Sequence, residues 1–323
     1  MNSILLALLI FVVVGVGLWL VSFLIEMLRR KPQAPAKLSW APNIPIETIN
    51  IDGTKLRYIK SGKGPVLVLL HTLRTQLDLF EKVVPELSKH FTVYALDYPG
   101  HGYSDIPQTR YDAAFFTAAV EGFLDKLDFR DVTLAGVSIG GSVALIIAAR
   151  RNPRVARVVA INPYDYARGR GMGRAGLFGA FVTYAALVPV IGETVMRLRN
   201  SLIMDAVLRG GVADANNIPP ALLKEMYLVG NRPEHYRGFL SLLRNAESWD
   251  TATKDYGRIQ MPILLIWGDQ DWARPVEREH DRMLIAGVEM TTLAGGGHFL
   301  PLDRPRELTE AIIHFATRSH IRA

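Results

Sequence analysis

The chain has 323 residues, 49% hydrophobic and 21% charged, which excludes a disordered polymer and suits one large α/β domain or two smaller ones. It contains no cysteine, so disulfides and thiolate metal sites are excluded. The net charge of +6 is uneven, with about half of it carried by Glu26, Arg29, Arg30, Lys31 and Lys37; the rest is dispersed, and no nucleic-acid-binding patch is expected.

Residues 4–25 carry no charge across roughly 22 positions, the length needed to cross a bilayer. Trp19 stands towards the end of this run, where interfacial aromatics are usual. A cleaved signal peptide has a basic start and a shorter apolar core, whereas Asn2 and Ser3 are uncharged here, although Ala34-Pro-Ala36 resembles a cleavage site. A buried core helix is seldom apolar on every face. The run is therefore read as an uncleaved single-pass anchor. Arg29, Arg30 and Lys31 follow it, which places the bulk of the protein on the cytoplasmic side. Residues 26–45, with Pro32, Pro35 and Pro42, read as a semi-rigid basic tether.

From residue 46 the pattern alternates. Ile46–Ile51 and Lys55–Ile59 read as a hairpin about Asp52-Gly53. Pro65–Leu70 is apolar throughout, as a parallel strand covered on both faces should be. Further strands are expected at Phe91–Leu96, Arg130–Ala135 and Arg154–Ile161, with helices at Asp112–Asp128 and Ser142–Arg151 between them. The alternation stops over residues 164–259, which read as a helical insertion. It resumes over 260–323 with strands at Pro262–Trp267 and Gly287–Leu293 and helices at Pro275–Ile285 and Pro305–Thr317. This order implies a doubly wound, mostly parallel sheet in two parts, 46–163 and 260–323, around a cap. The insertion contains Gly171-Met-Gly-Arg-Ala-Gly176, but a dinucleotide site would need that pattern directly after a strand, so it is read as a hinge. Leu177–Ile191 is strongly apolar and interrupted by Pro189, which suits a lid wall.

The chain is organised around Gly136-Val-Ser138-Ile-Gly140, between a buried strand and an apolar helix. So sharp a reversal needs close backbone approach, which the flanking glycines allow. It lifts the Ser138 hydroxyl to a helix N-terminus, where the Ile139 N–H is free to bind an oxyanion. The motif alone is weak, since G-x-S-x-G arises by chance in roughly one chain in ten of this length.

Three further features follow the order seen in one superfamily: His71 at a strand end, the Asp97-x-x-Gly100-x-Gly102-x-Ser104 turn, and Trp267-Gly-Asp-Gln-Asp271 together with Gly297-His298. From residue 46 onward the sequence resembles the α/β hydrolases, and in architecture the membrane-anchored monoacylglycerol lipases and related carboxylesterases. The resemblance implies an α/β-hydrolase fold and a triad with Ser138 as nucleophile, His298 as base and Asp271 as acid. Asp269 is then a decoy making turn contacts, and Leu73 supplies the second oxyanion N–H beside Ile139. His71 and His101 support loops, while His90, His235, His280, His314 and His320 lie on or beside helices as surface or packing residues. Thr72 departs from the family's usual glycine, and Arg74 either reaches an anionic group on the substrate or pairs with a carboxylate to hold its loop; the second is the preferred reading. A serine, rather than an aspartate, at the elbow argues against the haloalkane dehalogenase and epoxide hydrolase branches. It implies acyl-enzyme chemistry on an apolar or lipid-like ester at a membrane, without metal or cofactor. Serine haloperoxidases, carbon–carbon bond hydrolases and a non-catalytic binding protein share the outline. Because the triad lies downstream, deleting residues 1–31 is expected to spare activity on soluble esters.

Overall fold

A strand apolar on both sides is stable only where both its faces are covered. Val66–Leu70 (β3) and Val132–Val137 (β5) are such strands, and in the computed structural model of the chain they are paired at the centre of one eight-stranded sheet. Residues 3–318 are described; Met1, Asn2 and residues 319–323, including His320, lie outside them. The remaining strands are Ile46–Ile51 (β1), Thr54–Ser61 (β2), Thr92–Leu96 (β4), Val155–Ile161 (β6), Ile263–Gly268 (β7) and Glu289–Leu293 (β8). Their order is β1-β2-β4-β3-β5-β6-β7-β8. β2 pairs antiparallel with both β1 and β4, and every other pair is parallel.

The first helices are Ser3–Met27 (α1), the single turn Val84–Leu87 (α2), Ala113–Lys126 (α3) and Ile139–Ala149 (α4). Asp112 caps α3 by accepting from the Phe115 N–H at 2.9 Å. Every residue of α4 is buried, so it can serve only as an interior helix. After the cap come Pro275–Leu284 (α11), the turn Leu300–Asp303 (α12) and Pro305–Thr317 (α13). Leu134, Val143, Phe116 and Trp267 belong to one core cluster, and Leu69, Phe80, Ile266 and Ile312 to a second.

Between β6 and β7 the chain forms no strand. Its helices are Gly176–Leu187 (α5), Ile191–Arg197 (α6), Ser201–Arg209 (α7), Pro220–Gly230 (α8), His235–Arg244 (α9) and Glu247–Ala252 (α10). The glycine pattern at 171–176 forms a tight turn leading into α5. Along α5 and α6 Leu177, Phe178, Phe181, Tyr184, Val190 and Ile191 are exposed.

The stretch read as a tether, 26–45, is packed at both ends. Leu38 is buried, and the Trp40 indole donates to Asp78 at 2.8 Å. At the other end Glu26 accepts from Arg199 at 2.8 Å, from Arg29 at 3.0 Å and from the Glu234 N–H at 2.9 Å. Arg29 donates to the Arg197 and Arg199 carbonyls, and the Arg197 guanidinium lies 3.7 Å above the Phe23 ring. The reason is electrostatic: Arg199 is buried, and Glu26 is the carboxylate that neutralises it.

Candidate active site

The parallel strands end along one edge, and a site forms where their C-terminal loops meet. At the end of β5 Ser138 adopts φ 57° and ψ −118°, a strained conformation for a residue with a side chain. The turn is possible because of its glycines. A Cβ on Gly136 would lie 2.1 Å from the Gly140 carbonyl oxygen, and one on Gly140 would lie 2.3 Å from that of Leu70. The Ser138 N–H donates to Ile161 at 2.8 Å, which pins the turn to β6.

His298 and Asp271 come from the loops after β8 and β7, 27 residues apart in sequence. His298 Nδ1 lies 2.6 Å from Asp271 Oδ2, both side chains being buried. Asp271 Oδ1 accepts from the Ala273 N–H at 2.9 Å. With Nδ1 as donor, Nε2 carries the lone pair of a neutral imidazole. Nε2 is buried with no hydrogen-bond partner, and His298 and Ser138 line the same cavity. Asp269 accepts from the Gly296 N–H at 3.1 Å and lies in the turn beneath the histidine loop.

Leu73 follows β3 and lines the cavity together with Thr72 and Arg74. Neither the Leu73 nor the Ile139 N–H has an acceptor among the described residues. The loop is held by His71, whose Nδ1 donates to the Thr72 carbonyl at 2.7 Å and whose Nε2 accepts from the Tyr98 N–H at 3.1 Å. Burial pushes the His71 and His101 pKa values down to about 3, so both are neutral. Below the loop Asp97 accepts from Arg57 Nε at 2.5 Å and from the Leu77 and Tyr103 N–H groups at 2.8 Å. A Cβ on Gly102 would strike the Asp97 carboxylate, which explains that glycine in the turn. Of the other histidines, His235 is buried in α9, and burial holds it well below the usual range.

Arg74 corrects the reading preferred from sequence. No carboxylate among the described residues pairs with it. Its guanidinium instead lies 3.8 Å above the Phe239 ring of α9. Leu73 and Thr72, by contrast, supply only wall and backbone.

Three positioning residues escape the sequence reading. The Trp272 ring stacks on the His298 imidazole at 3.8 Å and 15°, and its Nε1 donates to the Gly210 carbonyl at 2.9 Å. Asn162 donates to the Gly297 and His298 carbonyls at 3.0 and 3.1 Å and accepts from the Gly268 N–H at 2.8 Å. Asp303 accepts from the Gly297 and Ala213 N–H groups at 2.8 and 2.9 Å, joining the histidine loop to the cap. Trp272 directly follows the candidate acid and could have been flagged from that adjacency. Asn162 carries no local signal, because its partners are remote in sequence, and Asp303 joins the nearby Gly297 to the remote Ala213.

The cavity is lined mainly by Leu73, Tyr164, Met172, Val207, Leu208 and Phe299 around the polar groups, and measures only about 20 Å³. That is little more than one water, so an ester enters only if cap side chains or helices shift.

Serine at a strained strand-to-helix turn, with a histidine–aspartate pair across the cavity, is the arrangement of a hydrolase fold. Residues 65–305 match the alpha/beta hydrolase fold family model, and the chain belongs to that family. Among its relatives are the uncharacterized protein Rv2715 of Mycobacterium tuberculosis, 24% identical over 89% of this chain and 85% of that protein, and the carboxylesterase YbfK of Bacillus subtilis, 23% identical over 81% and 84%. A haloalkane dehalogenase of Psychrobacter cryohalolentis is 27% identical over 81% of this chain and 87% of its own. Among solved structures, Cfl2 from Burkholderia cenocepacia superposes with a TM-score of 0.76 at 21% identity, covering 88% of this chain and 99% of that one. The family thus holds several hydrolytic chemistries on one fold, and the residues of the site must separate them.

Proposed function

We propose that the chain is a membrane-tethered serine hydrolase that cleaves carboxylic esters with an apolar, lipid-like acyl group. One observation carries the reading: His298 is oriented by Asp271 at 2.6 Å and leaves Nε2 unpartnered beside the cavity that Ser138 lines. In this mechanism Nε2 takes the Ser138 proton as Oγ attacks the ester carbonyl. The oxyanion receives hydrogen bonds from the Leu73 and Ile139 N–H groups. His298 returns the proton to the leaving alcohol, giving an acyl-enzyme, and then activates the water that hydrolyses it. Asp271 holds the imidazole tautomer and stabilises the imidazolium. The serine and the carboxylesterase relative support ester cleavage over dehalogenation.

The membrane part of the proposal rests on α1, the one helix among the described residues long and apolar enough to cross a bilayer. Its end packs on α6, and α6 packs on α5, whose exposed apolar residues suit contact with the same bilayer. The basic cluster after the helix orients the domain to the cytoplasmic side. The test is labelling by a fluorophosphonate followed by turnover of an ester chain-length series. Wild type should be labelled and Ser138→Ala should not, with ester turnover down by several orders of magnitude. Unchanged turnover in folded Ser138→Ala protein would exclude the mechanism.

A further inference from the structure

We infer that Arg74 is a carboxylate-binding residue of the substrate cavity, and that the ester this site accepts carries a carboxylate. The inference rests on the serine-hydrolase reading for the word ester, and narrows its acyl group to an apolar spacer that ends in a carboxylate. Arg74 adjoins Leu73 and lines the cavity with Ser138 and His298. Its backbone has φ 65°, in the left-handed region. Its Nη1 is buried and has no hydrogen-bond partner. The nearby acids are committed elsewhere: Glu26 to Arg199 and Arg29, and Asp78 and Asp97 to Arg57. Arg199 repels Arg74, and burial with that repulsion pulls its pKa down to about 9, still charged at neutral pH. The neighbouring His101 and His235 are neutral and contribute no negative charge.

A guanidinium whose Nη1 is buried without a hydrogen-bond partner or counter-charge is unfavourable, and the Phe239 face offsets only part of that penalty. An incoming carboxylate supplies the missing charge, through a charge-assisted hydrogen bond in a water-poor cavity. The remaining wall is apolar, which suits a hydrocarbon spacer between the reacting carbonyl and the carboxylate.

The experiment compares mono-4-nitrophenyl glutarate with its methyl ester on the full chain. The ratio of kcat/KM, acid over methyl ester, should be tenfold or more in wild type. It should fall by tenfold or more in Arg74→Met and be partly retained in Arg74→Lys. A wild-type ratio at or below one, which needs no variant, overturns the inference, as does a ratio unchanged in Arg74→Met when both activities drop together. Calorimetry of glutarate itself provides a readout free of turnover. Glutarate bound by wild type but not by Arg74→Met supports the anion site even if no ester is cleaved, and in that case the hydrolase reading alone fails. Ester cleavage without glutarate binding or acid preference leaves the hydrolase standing and removes the carboxylate site.

Discussion

At the residue scale the two aspartates after β7 make the sharpest comparison, because they are two positions apart and differ in partner. Asp271 contacts His298, whereas Asp269 contacts a backbone N–H in the turn. Asp271→Asn should lower kcat by up to about ten-thousandfold by favouring the wrong imidazole tautomer. Asp269→Asn should lower it far less. Steady-state kinetics of both variants decide this, and a reversed ranking would make Asp269 the acid. Trp272 adds a second case. Stacked on the imidazole and tied to the cap through Gly210, it restricts the ring plane. Trp272→Leu should reduce kcat more than KM rises, since it loosens the base without removing a polar contact to the substrate.

At the element scale, the joint between α1 and the cap reverses an expectation. In sequence the residues downstream of the membrane run are separable from it, so removal of 1–31 is expected to spare soluble-ester turnover. In the structure that removal strips Glu26 from buried Arg199, next to Arg74 in the substrate cavity. Breaking one partner of such a pair costs about 3 kcal/mol. Glu26→Gln should therefore lower the melting temperature by several degrees and reduce turnover even of soluble esters. Thermal scans and soluble-ester assays on detergent-purified full chain test this. An unchanged melting temperature and rate would show that the joint is not needed and that α1 is only a tether.

At the scale of the whole molecule, stability carries a pH signature from an acid pair outside the triad. Asp165, which accepts from the Tyr256 hydroxyl at 2.5 Å, and Asp281 are both buried, and burial pushes both carboxyls up, Asp281 the more strongly with Asp165 beside it. The folded chain therefore holds a proton that the unfolded chain releases above about pH 4. The stabilisation is complete below that pH and is lost as pH rises through the folded value. Asp281→Asn removes the ionisation, so it should raise the melting temperature at pH 8 and give a difference that shrinks towards pH 4. Scans across that range check it, and a pH-independent difference would exclude the pair as the cause. The membrane reading also belongs here: the protein should resist extraction by high salt and carbonate, and a soluble species beginning near Lys37 would instead indicate signal cleavage.

The alternation of strands and helices, the elbow glycines and the order of Ser138, Asp271 and His298 are legible in the linear chain. Each rests on local chemistry: side-chain period, backbone freedom and a motif a few residues long. The cap could be recognised by the loss of alternation, though not by how its helices pack. Pairing was beyond local reading. Arg74 looked as ready to meet a carboxylate in its own loop as an anion on a ligand, and its isolation emerges only when Phe239, Arg199 and Glu26 converge from elements up to 165 positions away. Asn162 and Asp303 likewise read as ordinary polar residues until three loops close around them. A charge or hydrogen-bonding group declares its type in sequence, but its compensation depends on what folding brings within about 3 Å of it, and that is set by tertiary packing.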